Sequence, residues 1–281
     1  MQTSDLDLSI IIVHTFETGV LRQTLRSIRC AAPQLQFEVV IVDNNPVAGL
    51  HKLIKNEFPE IRYFPMAKNL GFGGGMNQGI SRARGRYVLI FNPDIVVLPG
   101  SLEELMQFMD ANPEVGIAGP QLLNPDGSLQ HTCYRIPTFM IPAFRRTPLG
   151  KFPRAKNQVE EYMMIHDDHS ETMDVDALIG AALFARREAL ARIGLFDERF
   201  FLYYEDNDLC RRCWENGYRV VYRPESKMLH YHRRMSADGG LVHQLTSKFT
   251  WIHIHSFLKY WKKYRGVGNP REEMLRDVER C

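Results

Sequence analysis

Tyr87-Val88-Leu89-Ile90-Phe91-Asn92-Pro93-Asp94 is the stretch that decides the fold. Five apolar residues run without a polar residue between them and stop at a turn, the pattern of a β-strand buried on both faces. Such a strand needs helices above and below its sheet, and Asn92-Pro93-Asp94 then lies at its carboxyl end, where ligands of open α/β sheets bind. Outward from this stretch the rhythm repeats. Leu8 to Val13 is a β-branched run, followed by Leu21, Leu25 and Ile28 at helical spacing. Glu38 to Val42 ends at Asp43-Asn44-Asn45-Pro46, and Leu50, Leu53, Ile54 and Phe58 then mark a helix stopped by Pro59. Ile61 to Phe64 predicts a third strand, and a short helix to Arg84 follows the glycines Gly71 to Gly75. After Asp94, Ser101 and Glu104 read as a capping box opening a helix with Leu102, Leu105, Met106 and Met109 on one face. Strands alternating with helices in this way predict an α/β chain with a mostly parallel, Rossmann-like sheet flanked by helices.

The second half is patterned differently. Pro137, Pro142, Pro148 and Pro153 with little periodicity predict a long mobile loop over about 137–168. Ala177 to Ala185 reads as a strand, Arg187 to Ile193 as a short helix, and Glu205 to Asn216 as a helix closed by Gly217. Val220 to Tyr222 returns as a strand, and Leu241 to Tyr264 as a helix mixing aromatic residues with lysines.

Composition narrows the function classes. The 281 residues are 44% apolar and 24% charged, which fits a folded globular chain rather than a disordered or fibrous one. A formal charge of +2 gives no bulk attraction to nucleic acid. Cys30, Cys133, Cys210, Cys213 and Cys281 are scattered and odd in number, which suits a reducing compartment better than a disulfide framework. No apolar run approaches the roughly 18 residues of a membrane span, so the sequence reads as cytoplasmic, with any membrane contact peripheral on its inner face.

Candidate chemistry sits at the strand ends. They supply Thr15, Asp43, and Asn92 with Asp94: Asp43 could hydrogen-bond a base or ribose, and Asp94 offers a hard oxygen to Mg²⁺ or Mn²⁺ on a diphosphate. Gly71, Gly73, Gly74 and Gly75 miss the spacing of a dinucleotide fingerprint, and read instead as backbone passing close to a nucleotide sugar, with Asn69 and Asn77 supplying polar groups. A flexible turn is the plainer alternative. The richest stretch runs from Gly194 to Arg212. There four aromatic residues deliver Glu205, Asp206 and Asp208 to a helix start, where a half-desolvated carboxylate is a candidate general base. Cys210 and Cys213 with His230 and His232 suggest zinc only weakly, because the cysteines fall mid-helix and the histidines alternate. Trp251, Ile252, Phe257, Leu258, Tyr260 and Trp261 with Lys259, Lys262, Lys263 and Arg265 suit an anionic membrane surface or, almost equally, aromatic core packing with solvated lysines.

Taken together, the chain resembles an inverting family-2 glycosyltransferase of GT-A fold, in particular the bacterial rhamnosyltransferase branch. The resemblance spans Leu8 to about His232. It is carried by Ser9-Ile10-Ile11-Ile12-Val13, Val42-Asp43-Asn44-Asn45, Asn69-Leu70-Gly71-Phe72-Gly73-Gly74-Gly75-Met76-Asn77, Asn92-Pro93-Asp94, Gly194-Leu195-Phe196-Asp197-Glu198 and Tyr204-Glu205-Asp206-Asn207-Asp208-Leu209. The resemblance implies that Asn92-Pro93-Asp94 replaces the usual Asp-x-Asp metal motif, that Asp43 contacts the nucleotide and that Asp206 is the base, seconded by Glu205. It further implies that His230, in preference to His232, completes the metal shell with Asp94. Two departures stand out: Asn92 replaces the first carboxylate, and His14-Thr15-Phe16 stands where the family carries a tyrosine and an asparagine. Donor contacts then fall to Thr15, Asp43, Asn69, Gly71, Gly73, Asn77, Asn92 and Asp94. The implied partners are a nucleotide-diphosphate sugar, dTDP-rhamnose first, and a lipid-linked or polysaccharide acceptor. The implied division is 1–125 for the nucleotide sugar, 126–238 for the acceptor side and 239–281 for a helical tail, within one catalytic domain. Two other classes compete. A sugar-phosphate nucleotidyltransferase needs a basic glycine-rich loop after the first strand, and His14 to Gly19 contains no Lys or Arg. A non-catalytic sugar-binding module has no use for Glu205 and Asp206 beside a metal site.

Overall fold

The computed structural model describes residues 6–16, 18–31, 34–46, 49–231 and 247–280, with side chains described as far as 276. The first unit is β1 (Leu8–His14), α1 (Thr18–Ala31), β2 (Phe37–Asp43), α2 (Leu50–Glu57), β3 (Arg62–Pro65), α3 (Gly71–Ile80) and β4 (Tyr87–Phe91). In β1 every residue is buried, and alternate side chains enter different cores: Leu8, Ile10 and Ile12 on one face, Ile11 and Val13 on the other. Tyr87, Leu89 and Phe91 divide from Val88 and Ile90 in the same way. Each such aliphatic side chain contributes roughly 1.5–3 kcal/mol by leaving water, so the central strands are where the fold is held.

The chain continues as β5 (Ile95–Val97), α4 (Ser101–Ala111), β6 (Val115–Leu123), β7 (Cys133–Tyr134), α5 (Ile141–Arg146), a 3-10 turn (Pro148–Lys151) and α6 (Pro153–Tyr162). It ends with β8 (Met173–Asp174), β9 (Ala177–Leu178), β10 (Ala182–Arg186), α7 (Arg187–Ile193), α8 (Glu205–Glu215), β11 (Arg219–His230), α9 (Lys248–Tyr264) and α10 (Pro270–Arg280). Among the described residues nine strands make one sheet in the order β3-β2-β1-β4-β10-β6-β11-β5, with β8 on β11. The first four strands are parallel; beyond them β10, β5 and β8 pair antiparallel, so the sheet is parallel at its β3 end and mixed beyond it.

Several local expectations change. The 137–168 stretch is helical over much of its length, because Pro142, Pro148 and Pro153 each occupy a first helical turn, where a missing N–H costs nothing. Ser101 is not a cap: Gly100 takes the N-cap at φ 80°, while Ser101 Oγ donates to Lys227 O and Glu104 pairs with Arg223. The predicted strand over Ala177 to Ala185 breaks at Gly180, so β9 joins β7 and β10 enters the main sheet. β11 extends far past Tyr222, with a register shift between Arg223 and Lys227 around Pro224 that hides its periodicity. Neither β6 nor α10 was foreseen as an element of its own.

Candidate active site

The carboxyl ends of β1 and β2 meet in a buried polar knot. His14 Nδ1 lies 3.1 Å from Asp43 Oδ1, and neither side chain is exposed. Asp43 Oδ1 also accepts from Asn45 N–H, and its Oδ2 from the Tyr63 hydroxyl at 2.6 Å. Burial, then the bond to Asp43, pushes the Tyr63 hydroxyl well above its ordinary pKa, so it stays a donor. Thr15 is half-buried beside this knot, and its carbonyl accepts from Asn45 Nδ2.

At the end of β4, Asn92 N–H donates to Ala181 O at 2.8 Å, and Pro93 O accepts from Thr24 Oγ1. Asp94 then faces the last residue of β11, with its Oδ1 3.3 Å from His230 Nε2. Gln130 decides what that nitrogen is. Its amide nitrogen donates to His230 O and Asn124 Oδ1, so its Oε1 is the acceptor of the 2.9 Å contact with His230 Nδ1. That bond places a proton on Nδ1, so Nε2 is the ring atom that faces Asp94. Among the described residues Asp94 Oδ1 is itself buried without a hydrogen-bond partner. A carboxylate oxygen and an imidazole nitrogen facing each other, with the imidazole braced from behind, are a donor pair that fits a divalent cation whose remaining ligands are water and substrate phosphate. Among the described residues no cluster of three or more His, Cys, Asp or Glu could hold a metal, so these two groups would be its protein ligands.

The carboxylates at the start of α8 separate once the helix is in place. Asp206 is half-buried; its Oδ2 accepts from Gly180 N–H at 2.9 Å and its Oδ1 from Asn207 N–H at 2.8 Å. Glu205 is 5% exposed, and burial, then the neighbouring Asp206, raises its pKa well above the usual carboxylate range. Burial thus favours the protonated form of Glu205, and Asp206 is the carboxyl of this pair that reaches the surface. Asp208 is fully buried and held by Arg212, Lys263 and Tyr264, so it is an ion-pair node between α8 and α9. The turn that delivers Asp206 is strained: Tyr203 and Tyr204 both lie in the left-handed region, at φ 71° and 68°.

The glycine helix has close protein neighbours that the sequence reading did not include. Gly71 and Gly73 approach the 196–201 segment: a Cβ at Gly71, where φ is +76°, would strike Phe201 O, and one at Gly73 would lie 3.2 Å from the Phe196 side chain. Asn77 joins the same contact, donating to Phe196 O and accepting from Phe196 N–H. These three residues fasten α3 to the 196–201 segment and so position α8. Asn69 is exposed at the mouth of this turn, its Oδ1 capping Gly71 N–H. Cys210 and Cys213 pack in the core, where burial pushes the Cys210 thiol up to about 12, and neither is a metal thiolate. His232 lies outside the described residues. On α9, Lys263 turns inward to Asp197 and Asp208, and Lys259 donates to Arg199 O, so two of the four cations assigned to a membrane face brace the 197–208 segment. Gly180 and Gln130 were missed by the sequence reading. A lone glycine inside a strand pattern was the available signal for the first; nothing in the sequence marks the second.

The family described as Glycosyl transferase family 2 matches residues 9–193. The chain is 28% identical over 260 residues to the N-acetylglucosaminyl-diphospho-decaprenol L-rhamnosyltransferase of Mycobacterium tuberculosis (strain ATCC 25618 / H37Rv), covering 88% of this chain and 84% of that protein. Its fold is similar to the solved structure of GalNAc-T7 with UDP, GalNAc and Mn²⁺, at a TM-score of 0.61 and 17% identity, over 81% of this chain but only 44% of that one. It is also similar to the mannosyltransferase PcManGT from Pyrobaculum calidifontis in complex with GDP-Man and Mn²⁺, at a TM-score of 0.55 and 15% identity, over 98% of this chain and 79% of that one. The architecture is thus that of GT-A glycosyltransferases.

Proposed function

The chain belongs to glycosyl transferase family 2, and from that premise we propose that it moves L-rhamnose from dTDP-rhamnose, with inversion, to a hydroxyl of a lipid-linked acceptor in bacterial surface glycan synthesis. One observation carries the reading. Gly180 and Ala181 are consecutive residues, and Gly180 holds Asp206 while Ala181 holds Asn92, so the candidate base and the candidate metal motif hang on one two-residue bridge. An acceptor hydroxyl bound against Asp206 and a leaving diphosphate bound against Asp94 would then meet at one sugar seated over that bridge.

The residues divide the work. Asp43, with His14 and Thr15 beside it, and Asn69 receive the nucleoside; Asn92 and Asp94 receive the diphosphate. Asp94 and His230 would hold Mg²⁺ or Mn²⁺, which when bound supplies charge stabilisation to the leaving diphosphate. Asp206 takes the proton of the acceptor hydroxyl as its oxygen attacks the anomeric carbon; the bonds donated by Gly180 N–H and by Asn207 N–H and Nδ2 hold the carboxylate in its orientation. Residues 1–125 serve the donor and 126–238 the acceptor. The relative from Mycobacterium tuberculosis is named for a diphospho-decaprenol substrate, which supports a lipid-linked acceptor here. No helix among the described residues is long and apolar enough to cross a membrane, so contact with such an acceptor would be peripheral.

The test is a panel of nucleotide sugars with Mn²⁺ and a short-chain prenyl-diphosphate sugar as acceptor. Release of dTDP from dTDP-rhamnose above all other donors, with an anomeric NMR signal of configuration opposite to the donor's, is the expected result. Preference for another donor, or retained configuration, overturns it.

A further inference from the structure

Among the described residues Arg146, at the end of α5, is a half-buried cation without a counter-anion. Its Nη1 donates to Thr250 Oγ1 at 3.3 Å, and no carboxylate contributes to its electrostatics; burial lowers its pKa and Arg145 lowers it further. Arg145 lies over the Tyr162 ring at 5.7 Å. The shortage of anions is regional. Residues 139–156 contain five cations and no acid, and residues 248–265 another five and no acid, in a chain whose total charge is only +2. His253, on the second of these segments, packs its ring 5.0 and 5.2 Å from those of Tyr203 and Tyr204. Burial first, then Arg146 and Arg145, pushes His253 down to about 3. The region borders the reaction centre, since Tyr204 and Tyr162 each interact electrostatically with both Arg145 and Asp206.

Half-buried guanidinium groups are normally paired, and their fork matches phosphate oxygens better than any other side chain does. The surroundings say which kind of phosphate. Phe139 and Trp261 lie ring to ring at 5.1 Å and are 52% and 37% exposed; Leu149 and Phe152, nearby in sequence, are 47% and 64% exposed. An anion arriving here is thus met by aromatic and aliphatic surface open to the outside, which suits a hydrocarbon tail.

We infer that Arg146, helped by Arg145, binds the diphosphate of a prenyl-linked acceptor, with Phe139 and Trp261 against the first units of its chain. The inference rests on the lipid-linked acceptor proposed above and adds where its diphosphate is held. The site is separate from Asp94 and His230, which serve the donor.

The experiment compares kcat/KM on N-acetylglucosaminyl-diphospho-farnesol with that on octyl N-acetylglucosaminide, which has no phosphate, for wild type, Arg146→Gln and Arg146→Lys. Arg146→Gln should lower the ratio of the two by about tenfold to a hundredfold, as the loss of a charge-assisted pair does, and Arg146→Lys should fall between. In the wild type, farnesyl diphosphate should raise the His253 titration midpoint seen by NMR, a readout that needs no variant to fold. An unchanged ratio, an equal fall on both acceptors, or a His253 midpoint unmoved by farnesyl diphosphate overturns the inference. A wild type that glycosylates only the phosphate-free acceptor overturns the lipid-linked reading with it, whereas a wild type that uses both equally well, with Arg146→Gln unaffected, overturns this inference alone.

Discussion

Gly180 donates its backbone N–H to Asp206 Oδ2 at 2.9 Å, and a Cβ built on Gly180 would lie 3.2 Å from the Cβ of Asp206. A methyl group at position 180 would therefore push the candidate base by a few tenths of an ångström. Because Ala181 in turn accepts from Asn92, any shift of Asp206 on this bridge is a shift relative to the metal motif as well.

Asp206→Asn keeps the shape and removes the proton acceptor. Turnover should fall about 10²- to 10⁴-fold with little change in donor KM, as loss of a general base does. Gly180→Ala should give a smaller fall in kcat, on the order of several-fold to tenfold, because it displaces Asp206 by less than the full ångström whose misplacement costs about a hundredfold. Steady-state kinetics on both variants check this; a Gly180→Ala enzyme with full kcat would show that the contact does not position the base.

Metal stimulation should follow the order of the ligands and their brace. Asp94→Ala should abolish it and His230→Ala should weaken it strongly. Gln130→Leu, which touches no metal but releases the Nδ1 proton, should weaken Mn²⁺ affinity by about 10- to 100-fold, the usual effect of losing an outer hydrogen bond to a ligand. Mn²⁺ titrations of donor hydrolysis read all three.

Glu205 sets a pH dependence of stability. Its folded pKa lies above the unfolded value of roughly 4.3, so the folded state binds the extra proton and stability declines as pH rises from that value toward the folded one. Glu205→Gln should flatten this decline, and its advantage over wild type in thermal midpoint should grow from pH 4 to pH 8. An advantage independent of pH would mean that the carboxyl ionises freely in the folded protein.

Two cations one position apart on α9 should behave differently. Lys263→Met unpairs the buried Asp208 and the neighbouring Asp197, and should cost about 1.5–3 kcal/mol in urea unfolding, the range for hydrogen bonds to charged groups. Lys262 is exposed, and the Lys262→Gln, Arg265→Gln double variant should leave stability alone while weakening binding to anionic vesicles by roughly 2 kcal/mol, or about thirtyfold. Unfolding and sedimentation assays separate the two; equal vesicle binding would make this helix purely structural.

Much of the fold is written in short-range patterns. The unbroken run from Tyr87 to Phe91, the strand ends at Asp43 and Asn92-Pro93-Asp94, and the helix from Glu205 closed by Gly217 are all legible because strand burial, turn chemistry and helix termination depend on residues a few positions apart. The same patterns narrowed the base to a cluster of carboxylates. What they could not supply is direction. Successive residues on a helix point about 100° apart, and only the packing of α8 against Gly180, the core and α9 makes Asp206 the open carboxylate, Glu205 a buried acid and Asp208 an ion-pair node. Likewise the proton on His230 is assigned by Gln130, one hundred residues away in the chain. The glycines read as a donor loop meet Phe196 and Phe201 because distant segments pack there. Periodicity carries no information about which distant side chain arrives at a given atom, so these decisions belong to the tertiary structure alone.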